Sequence, residues 1–158
     1  MADIHIEEFY KDAAIALAQL YNAFPRRVNL FVEDIAGPDE TDEFGLHSKR
    51  HMACFGALLW LAEEGFLRYV DTIRQEALDQ AVLTQEAFTR LSSPAPDALV
   101  EALRGPETTT PPSLPPSLLE DLSSHIHLVR TALKSRDSAR IGHAVRATLF
   151  TDDKAPAR

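Results

Sequence analysis

The clearest candidate for recognition chemistry is a run of four consecutive polar residues: Ser48, Lys49, Arg50 and His51. Serine is a preferred N-cap residue, so the three side chains after it are predicted to lie in the first turn of a helix. Cations there oppose the helix dipole, but together with the free backbone amides they attract anions. The run therefore suggests a phosphate-binding patch. The alternative is pairing with Asp42 and Glu43 just upstream, which needs no ligand.

A second pattern, formed by His47, His51 and Cys54, has the spacing of metal ligands along one helical stripe. Imidazole nitrogen and thiolate sulfur are ligands that zinc prefers. The pattern lacks an evident fourth ligand, His47 precedes the predicted cap, and a lone cysteine beside an aromatic residue is typical of a core. His125 and His127 are two residues apart and face different sides of a helix. The sequence therefore predicts no metal site and no other cofactor.

Catalytic signatures are not evident in the 158 residues. There is no nucleophile elbow and no glycine-rich phosphate loop, and the adjacent carboxylate pairs are typical of solvated faces. The chain is predicted not to be an enzyme. The single cysteine excludes an internal disulfide, and the acidic amino terminus and short apolar runs predict a cytoplasmic protein without a membrane span.

The helices and strands that position these residues are predicted from hydrophobic periodicity and from the residues that cap or end helices. Helical spacing over residues 6–24 ends at Pro25, and a short helix over residues 31–36 ends at Gly37. A third helix begins after Ser48 and ends at Gly65. Apolar stretches at residues 66–70 and 81–83, separated by a charged segment, predict a two-stranded hairpin over residues 66–84 that packs on the first and third helices. Thr84 is predicted to cap the next helix.

Two motifs flank this hairpin: Leu58-Leu59-x-Leu61-x-x-x-Gly65-Phe66-Leu67 and Leu83-Thr84-x-x-Ala87-x-x-x-Leu91. Over residues 5–92 the pattern resembles the winged helix-turn-helix superfamily of bacterial regulators. The resemblance implies a mainly α fold with a small β-hairpin. It also implies DNA binding, with residues 48–51 entering a groove and Arg68 and Arg74 on the wing.

Beyond residue 92 the chain is rich in proline, which predicts a stiff linker over residues 93–116 with one short helix at residues 97–104. Residues 117–150 are predicted to form a C-terminal helical pair, opened by the capping box of Ser117 and Glu120, and residues 151–158 a disordered tail. The first helix of the pair carries an apolar stripe: Leu119, Leu122, Ile126, Val129 and Leu133. Because a stripe at this spacing must be covered, we expect a homodimer or docking on a partner.

Charge divides the chain in two. The net charge is -8, and residues 1–92 hold sixteen acidic against eight basic side chains, whereas the remainder is neutral. An acidic body repels nucleic acid at long range. Two functions therefore stay open, a DNA-binding regulator of the winged-helix type and an acidic winged-helix module that binds a protein as a scaffold or adaptor.

Overall fold

The computed structural model describes residues 3–103, 115–117 and 122–150. These residues form a mainly helical fold with a small antiparallel sheet. The elements that can be delimited in them are α1 Ile4–Ala23, β1 Val28–Phe31, α2 Val32–Ala36, α3 Lys49–Glu63, β2 Leu67–Arg68, β3 Asp71–Ile73, β4 Ala77–Leu83, α4 Gln85–Ser92, α5 Asp97–Leu103, α6 His125–Ser135 and α7 Ser138–Leu149.

The helix boundaries in the first half follow local signals. α1 ends before Pro25, as predicted. Ser48 caps α3, because its hydroxyl oxygen accepts the backbone N–H of His51 at 3.1 Å. The chain leaves α3 through Gly65, whose φ of +86° is a left-handed conformation that glycine adopts without strain. Thr84 caps α4 by accepting the N–H of Ala87 at 3.2 Å.

The sheet is larger than the predicted hairpin. β4 is central, with β1 on one edge and β2 and β3 on the other, all antiparallel. The charged segment 71–80, predicted as a loop, contains β3 and the start of β4, and β1 was not predicted as a strand. β3 was missed because its exposed residues, Asp71 and Thr72, are polar, and β1 because its four residues form a strand only by pairing with β4. Leu78 pairs with Leu30 of β1 and with Thr72 of β3, and it is fully buried.

The core joins α1, α3 and the sheet. The residues predicted to be buried beneath the hairpin are all less than 10% exposed: Phe55, Leu58, Phe66 and Leu83. The exposed fractions are 6, 0, 7 and 2%, respectively. α3 therefore lies against α1 with its amino terminus at the rim of the sheet, beside the turn between β3 and β4.

The C-terminal helices belong to this same core. α6 and α7 pack on each other and on α1, and the apolar cluster runs without a break from α1 to α7. The segment predicted as the start of a linker is also attached, because Ala95 donates its N–H to Ser123 at 2.7 Å and Ser93 accepts that of His125 at 3.0 Å. Residues 116, 117 and 122 are helical, so the predicted helix from residue 117 is interrupted before α6, which begins at His125 with Ser124 as its cap. Residues 104–114 of the predicted linker, Glu120 and the predicted tail lie outside the described residues.

Candidate functional site

The α2–α3 connection, residues 37–48, is ordered by the side chain of Asp42. One carboxylate oxygen of Asp42 accepts the backbone N–H groups of Phe44 and Leu46, both at 2.9 Å. The N–H of Asp42 donates in turn to the carbonyl of Leu46 at 3.1 Å. These bonds close a turn in which the backbone is satisfied locally, so the side chains need not fold back onto the body.

Two apolar side chains of this turn point into solvent. Phe44 is 79% exposed and Leu46 is 63% exposed, and Phe44 is the most exposed large apolar side chain in the part of the chain that is described. The acidic residues around them, Glu40, Asp42 and Glu43, are exposed as well. The α2–α3 connection thus presents an apolar tip with a negatively charged rim.

Asp39 anchors the base of this connection to α3. One of its oxygens accepts the N–H of Ser48 at 3.1 Å, and the other accepts Nδ1–H of His47 at 2.6 Å. Hydrogen bonding by Ser48 and then by His47 outweighs the effect of burial and holds the pKa of Asp39 at about 2. Asp39 therefore carries a negative charge at neutral pH, in contact with the first turn of α3.

The imidazoles of His47 and His51 stack beside this carboxylate, with ring centroids 4.0 Å apart and an angle of 5° between the planes. His51 is 5% exposed, and its Nε2 donates to the carbonyl of Gln75 at 2.8 Å. That bond ties α3 to the turn between β3 and β4. Nδ1 of His51 lies 3.5 Å from Asp39 Oδ2 and has no hydrogen-bond partner among the described residues.

Arg50, predicted to contact phosphate, pairs within the protein. Its two terminal nitrogens donate to the carboxylate of Asp12 at 2.8 and 2.5 Å, and its Nε lies 3.9 Å from Glu8. Asp12 is 1% exposed, so this bidentate pair satisfies a carboxylate that α1 buries. The alternative prediction, that Arg50 pairs with Asp42 and Glu43, was wrong, because the acidic partners of Arg50 lie on α1.

The six predicted nucleic-acid contacts therefore separate into two groups. Ser48, Arg50 and His51 make contacts inside the protein, whereas Lys49, Arg68 and Arg74 are exposed. These three exposed cations have no ion-pair partner within 4.0 Å among the residues that the structure describes. Arg74 lies at the β3–β4 turn with a positive φ of 51°, next to the residue that holds His51.

The metal-ligand pattern considered from the sequence also changes. Cys54 does not belong to it, because the thiol is buried and burial raises its pKa to about 12, so it does not provide a thiolate. Asp39 takes its place: one ligand atom from each of Asp39, His47 and His51 lies within 4.8 Å of the others. Sequence reasoning missed Asp39. An acidic residue eight positions before His47 is visible in the sequence. The sequence does not show that the α2–α3 connection folds so that this residue lies beside His47.

The residues predicted to support a homodimer are largely covered by the chain itself. Ile126 is 4% and Val129 is 1% exposed, Leu133 is half-buried and Leu122 is 37% exposed, while Leu119 lies outside the described residues. α1, α4 and α7 pack against α6. Ile126 and Val129 are therefore covered without a second copy or a partner, and the homodimer stays a prediction.

No protein-family model, curated protein or solved structure matches this chain. None of the helices in the described ranges has the length and apolar character required to cross a bilayer.

Proposed function

We propose that the body of this protein is a winged-helix module. The support is the order of its elements, α1-β1-α2-α3-β2-β3-β4, and the order of its strands, in which β1 joins β4 and the turn between β3 and β4 forms the wing. The α2–α3 connection of residues 37–48 is much longer than the roughly three- to four-residue turn of a helix-turn-helix. The function is therefore argued from the site and not from the fold.

The proposed function is binding of a protein partner through the α2–α3 connection. The observation that carries it is the exposure of Phe44 and Leu46 on a turn that hydrogen bonds to Asp42 hold in shape. An apolar side chain gains free energy when a partner removes it from water, and a preorganised turn loses little entropy on binding. Aromatic residues are enriched among the anchors of protein interfaces.

The charge around these anchors defines the partner. Glu40, Asp42 and Glu43 surround the apolar tip, and the chain as a whole carries a net charge of -8. A complementary surface has an apolar pocket for Phe44 and basic side chains around it. Electrostatic complementarity of this kind speeds association and excludes acidic partners.

A cross-linking experiment tests this proposal. A photoactivatable amino acid at position 44 is used in cells to trap the bound protein, which is then purified and titrated against the wild-type chain. The double variant Phe44→Ser/Leu46→Ser is expected to bind at least about tenfold more weakly, since loss of an interface anchor typically costs about 2 kcal/mol or more and about 1.4 kcal/mol is tenfold in affinity. Equal affinity of wild type and double variant contradicts the proposal.

Val70→Ser provides the matched control, because Val70 is also an exposed apolar residue, at 60%, but lies between β2 and β3. This control is expected to bind the partner like the wild type. Raising the salt concentration is expected to slow association with a basic-rimmed partner and to leave the effect of the double variant in place.

DNA binding is the second candidate, and the observation in its favour is the position of Lys49 and Arg74. Both are exposed, and Lys49 lies two residues before His51 and Arg74 directly before Gln75, the two residues whose hydrogen bond joins α3 to the wing. With Arg68 they offer at most three of the predicted phosphate contacts, so the logarithm of the binding constant is expected to fall with the logarithm of salt concentration with a slope of about -2 to -3. Anisotropy with a mixed-sequence duplex measures this slope, and binding that persists in Lys49→Ala/Arg74→Ala excludes this site.

A further inference from the structure

The cluster of Asp39, His47 and His51 at the base of the α2–α3 connection combines ligand types that a transition-metal ion prefers. One carboxylate oxygen and two imidazole nitrogens lie within 4.8 Å of one another. Two histidines and one carboxylate with a remaining open position is a donor set found in metal sites of proteins.

His51 gives an independent indication of a cation site. In the neutral form of the ring, Nε2 donates its proton to the carbonyl of Gln75 and Nδ1 carries a lone pair. In that form the buried Nδ1 and Asp39 Oδ2, which lie 3.5 Å apart, are both acceptors, and Nδ1 has no hydrogen-bond partner among the described residues. A buried polar atom without a partner is costly, and a metal ion that both atoms coordinate removes that cost.

The surroundings leave room for further ligands. A cavity of about 220 Å³ adjoins the cluster, lined by residues of the α2–α3 connection and the start of α3, including Gly37, Glu40 and Ser48. A water molecule occupies roughly 30 Å³ in the liquid, so the cavity holds at least one beside the cluster. Arg50 also lines it, but its charge is paired with Asp12.

We propose that Asp39, His47 and His51 bind a zinc ion, with a water molecule from the cavity as fourth ligand. Zinc bonds to nitrogen and oxygen of about 2.0–2.2 Å place tetrahedral ligand atoms roughly 3.3–3.5 Å apart. The 3.5 Å between His51 Nδ1 and Asp39 Oδ2 already fits, whereas the hydrogen bond of 2.6 Å from His47 is too short. On binding, the proton on Nδ1 of His47 is exchanged through solvent for one on Nε2, so that the ring stays neutral and Nδ1 offers its lone pair to the ion. The ring also turns out of the stack, because that lone pair lies in the ring plane.

The site goes beyond the proposed function and does not depend on it. A bound ion joins the start of the α2–α3 connection, at Asp39, to its end at His47 and to α3 at His51. It therefore crosslinks the segment that carries the apolar tip, and it stabilises the folded chain in proportion to its affinity.

Metal titration of the purified full-length chain, freed of metal by a chelator, tests the proposal. Co²⁺ is expected to bind with one-to-one stoichiometry, to give visible absorption bands of a low-coordinate site, and to be displaced by Zn²⁺. Zn²⁺ is expected to raise the midpoint of thermal unfolding. His47→Gln retains a side-chain donor for Asp39 and removes a ligand, so Zn²⁺ affinity is expected to fall by more than the ~10- to 100-fold loss typical of an outer-shell partner.

Two further variants keep the test decisive if His47→Gln is poorly folded. Asp39→Asn preserves an oxygen that accepts the Ser48 amide and removes the charged ligand, and it is expected to abolish the Zn²⁺-dependent thermal shift. His143→Gln is the matched control, since His143 is exposed on α7, and it is expected to bind Zn²⁺ like the wild type. Failure of the wild type to bind Co²⁺ or Zn²⁺ stoichiometrically, or equal Zn²⁺ affinity in all three variants, overturns the proposal.

Discussion

Two regions of this chain carry apolar side chains that need a surface to cover them, and the fold treats them in opposite ways. In α6, Ile126 and Val129 are 4% and 1% exposed, because α1 and α4 pack against them. In the α2–α3 connection, Phe44 and Leu46 are 79% and 63% exposed. The comparison separates apolar residues that complete the core of this chain from those available to another molecule.

The difference has a geometric cause. A stripe spaced by three and four residues forms one continuous face over several helical turns, and a long helix such as α1 can cover it. The turn around Asp42 offers no such face, because its backbone groups are bonded to one side chain and its apolar residues project outward. In a short turn that is held by bonds to one polar side chain, the hydrophobicity of a residue therefore does not predict whether it is buried.

The strongest way to break the comparison is to put a charge into the covered region. Ile126→Asp is expected to lower the free energy of unfolding by more than the roughly 2–5 kcal/mol of a core truncation, since it also buries an unpaired carboxylate. Urea denaturation measures the loss, and Phe44→Asp serves as the exposed counterpart with little expected change. If Ile126→Asp instead stays folded and turns a dimer into a monomer in light scattering, the stripe is an interface and the comparison fails.

The next prediction compares two neighbouring cations at the start of α3, one of which pairs inside the protein while the other is exposed. Arg50→Ala is expected to destabilise the protein by about 3 kcal/mol, because it leaves Asp12 buried without its partner. The value is the lower end of the usual range, since the Arg50 side chain is itself 31% exposed. Lys49→Ala, one residue earlier and exposed, is expected to change stability by less than about 0.5 kcal/mol. Similar losses for both variants in chemical denaturation contradict the inward role of Arg50.

A smaller effect concerns how α6 is joined to α7. Nδ1 of His125 donates to the hydroxyl of Thr148 at 3.1 Å, since that hydroxyl donates to Ala144. Burial, and then the charge of Arg90, lowers the pKa of His125 below its ordinary value. The unfolded chain therefore takes up this proton more readily than the folded one, so stability is lost as the pH falls below about 6.5.

The measurement is the free energy of unfolding at about pH 8 and about pH 5. His125→Gln is expected to show a smaller loss between these values than the wild type. His127, whose pKa is also lowered by burial and then by Lys134 and Arg130, retains part of the effect. An unchanged pH dependence in His125→Gln refutes this role of the α6 histidine.

The smallest expected effect on stability belongs to the exposed region. Phe44→Ser/Leu46→Ser is expected to change the free energy of unfolding by less than about 0.5 kcal/mol, because the backbone bonds to Asp42 do not depend on either side chain. Thermal unfolding beside the wild type measures it. A large loss shows that the two residues serve the fold, which removes the contrast with α6.

The predictable part of this protein lies where neighbouring residues decide the outcome. Ser48 and Thr84 cap helices through bonds to residues three positions away, and Pro25 and Gly65 end helices through their own backbone preferences. The core positions of α3 followed from helical periodicity in the same way. Strand β1 was out of reach, since its four residues become a strand only by pairing with β4 some fifty residues later.

The sequence by itself determined α1 to α4, the caps Ser48 and Thr84, the acidic charge and the apolar stripe that continues into α6. Only the tertiary structure decided which partners these residues meet. Arg50 meets Asp12, which is 38 residues away, His51 meets Gln75 across 24 residues, and α1 covers the stripe of α6. The physical reason is that a cation, an imidazole or an apolar face determines which kind of residue it contacts, but not where in the chain that residue lies. The position of the partner depends on how α1, α3 and the sheet pack together.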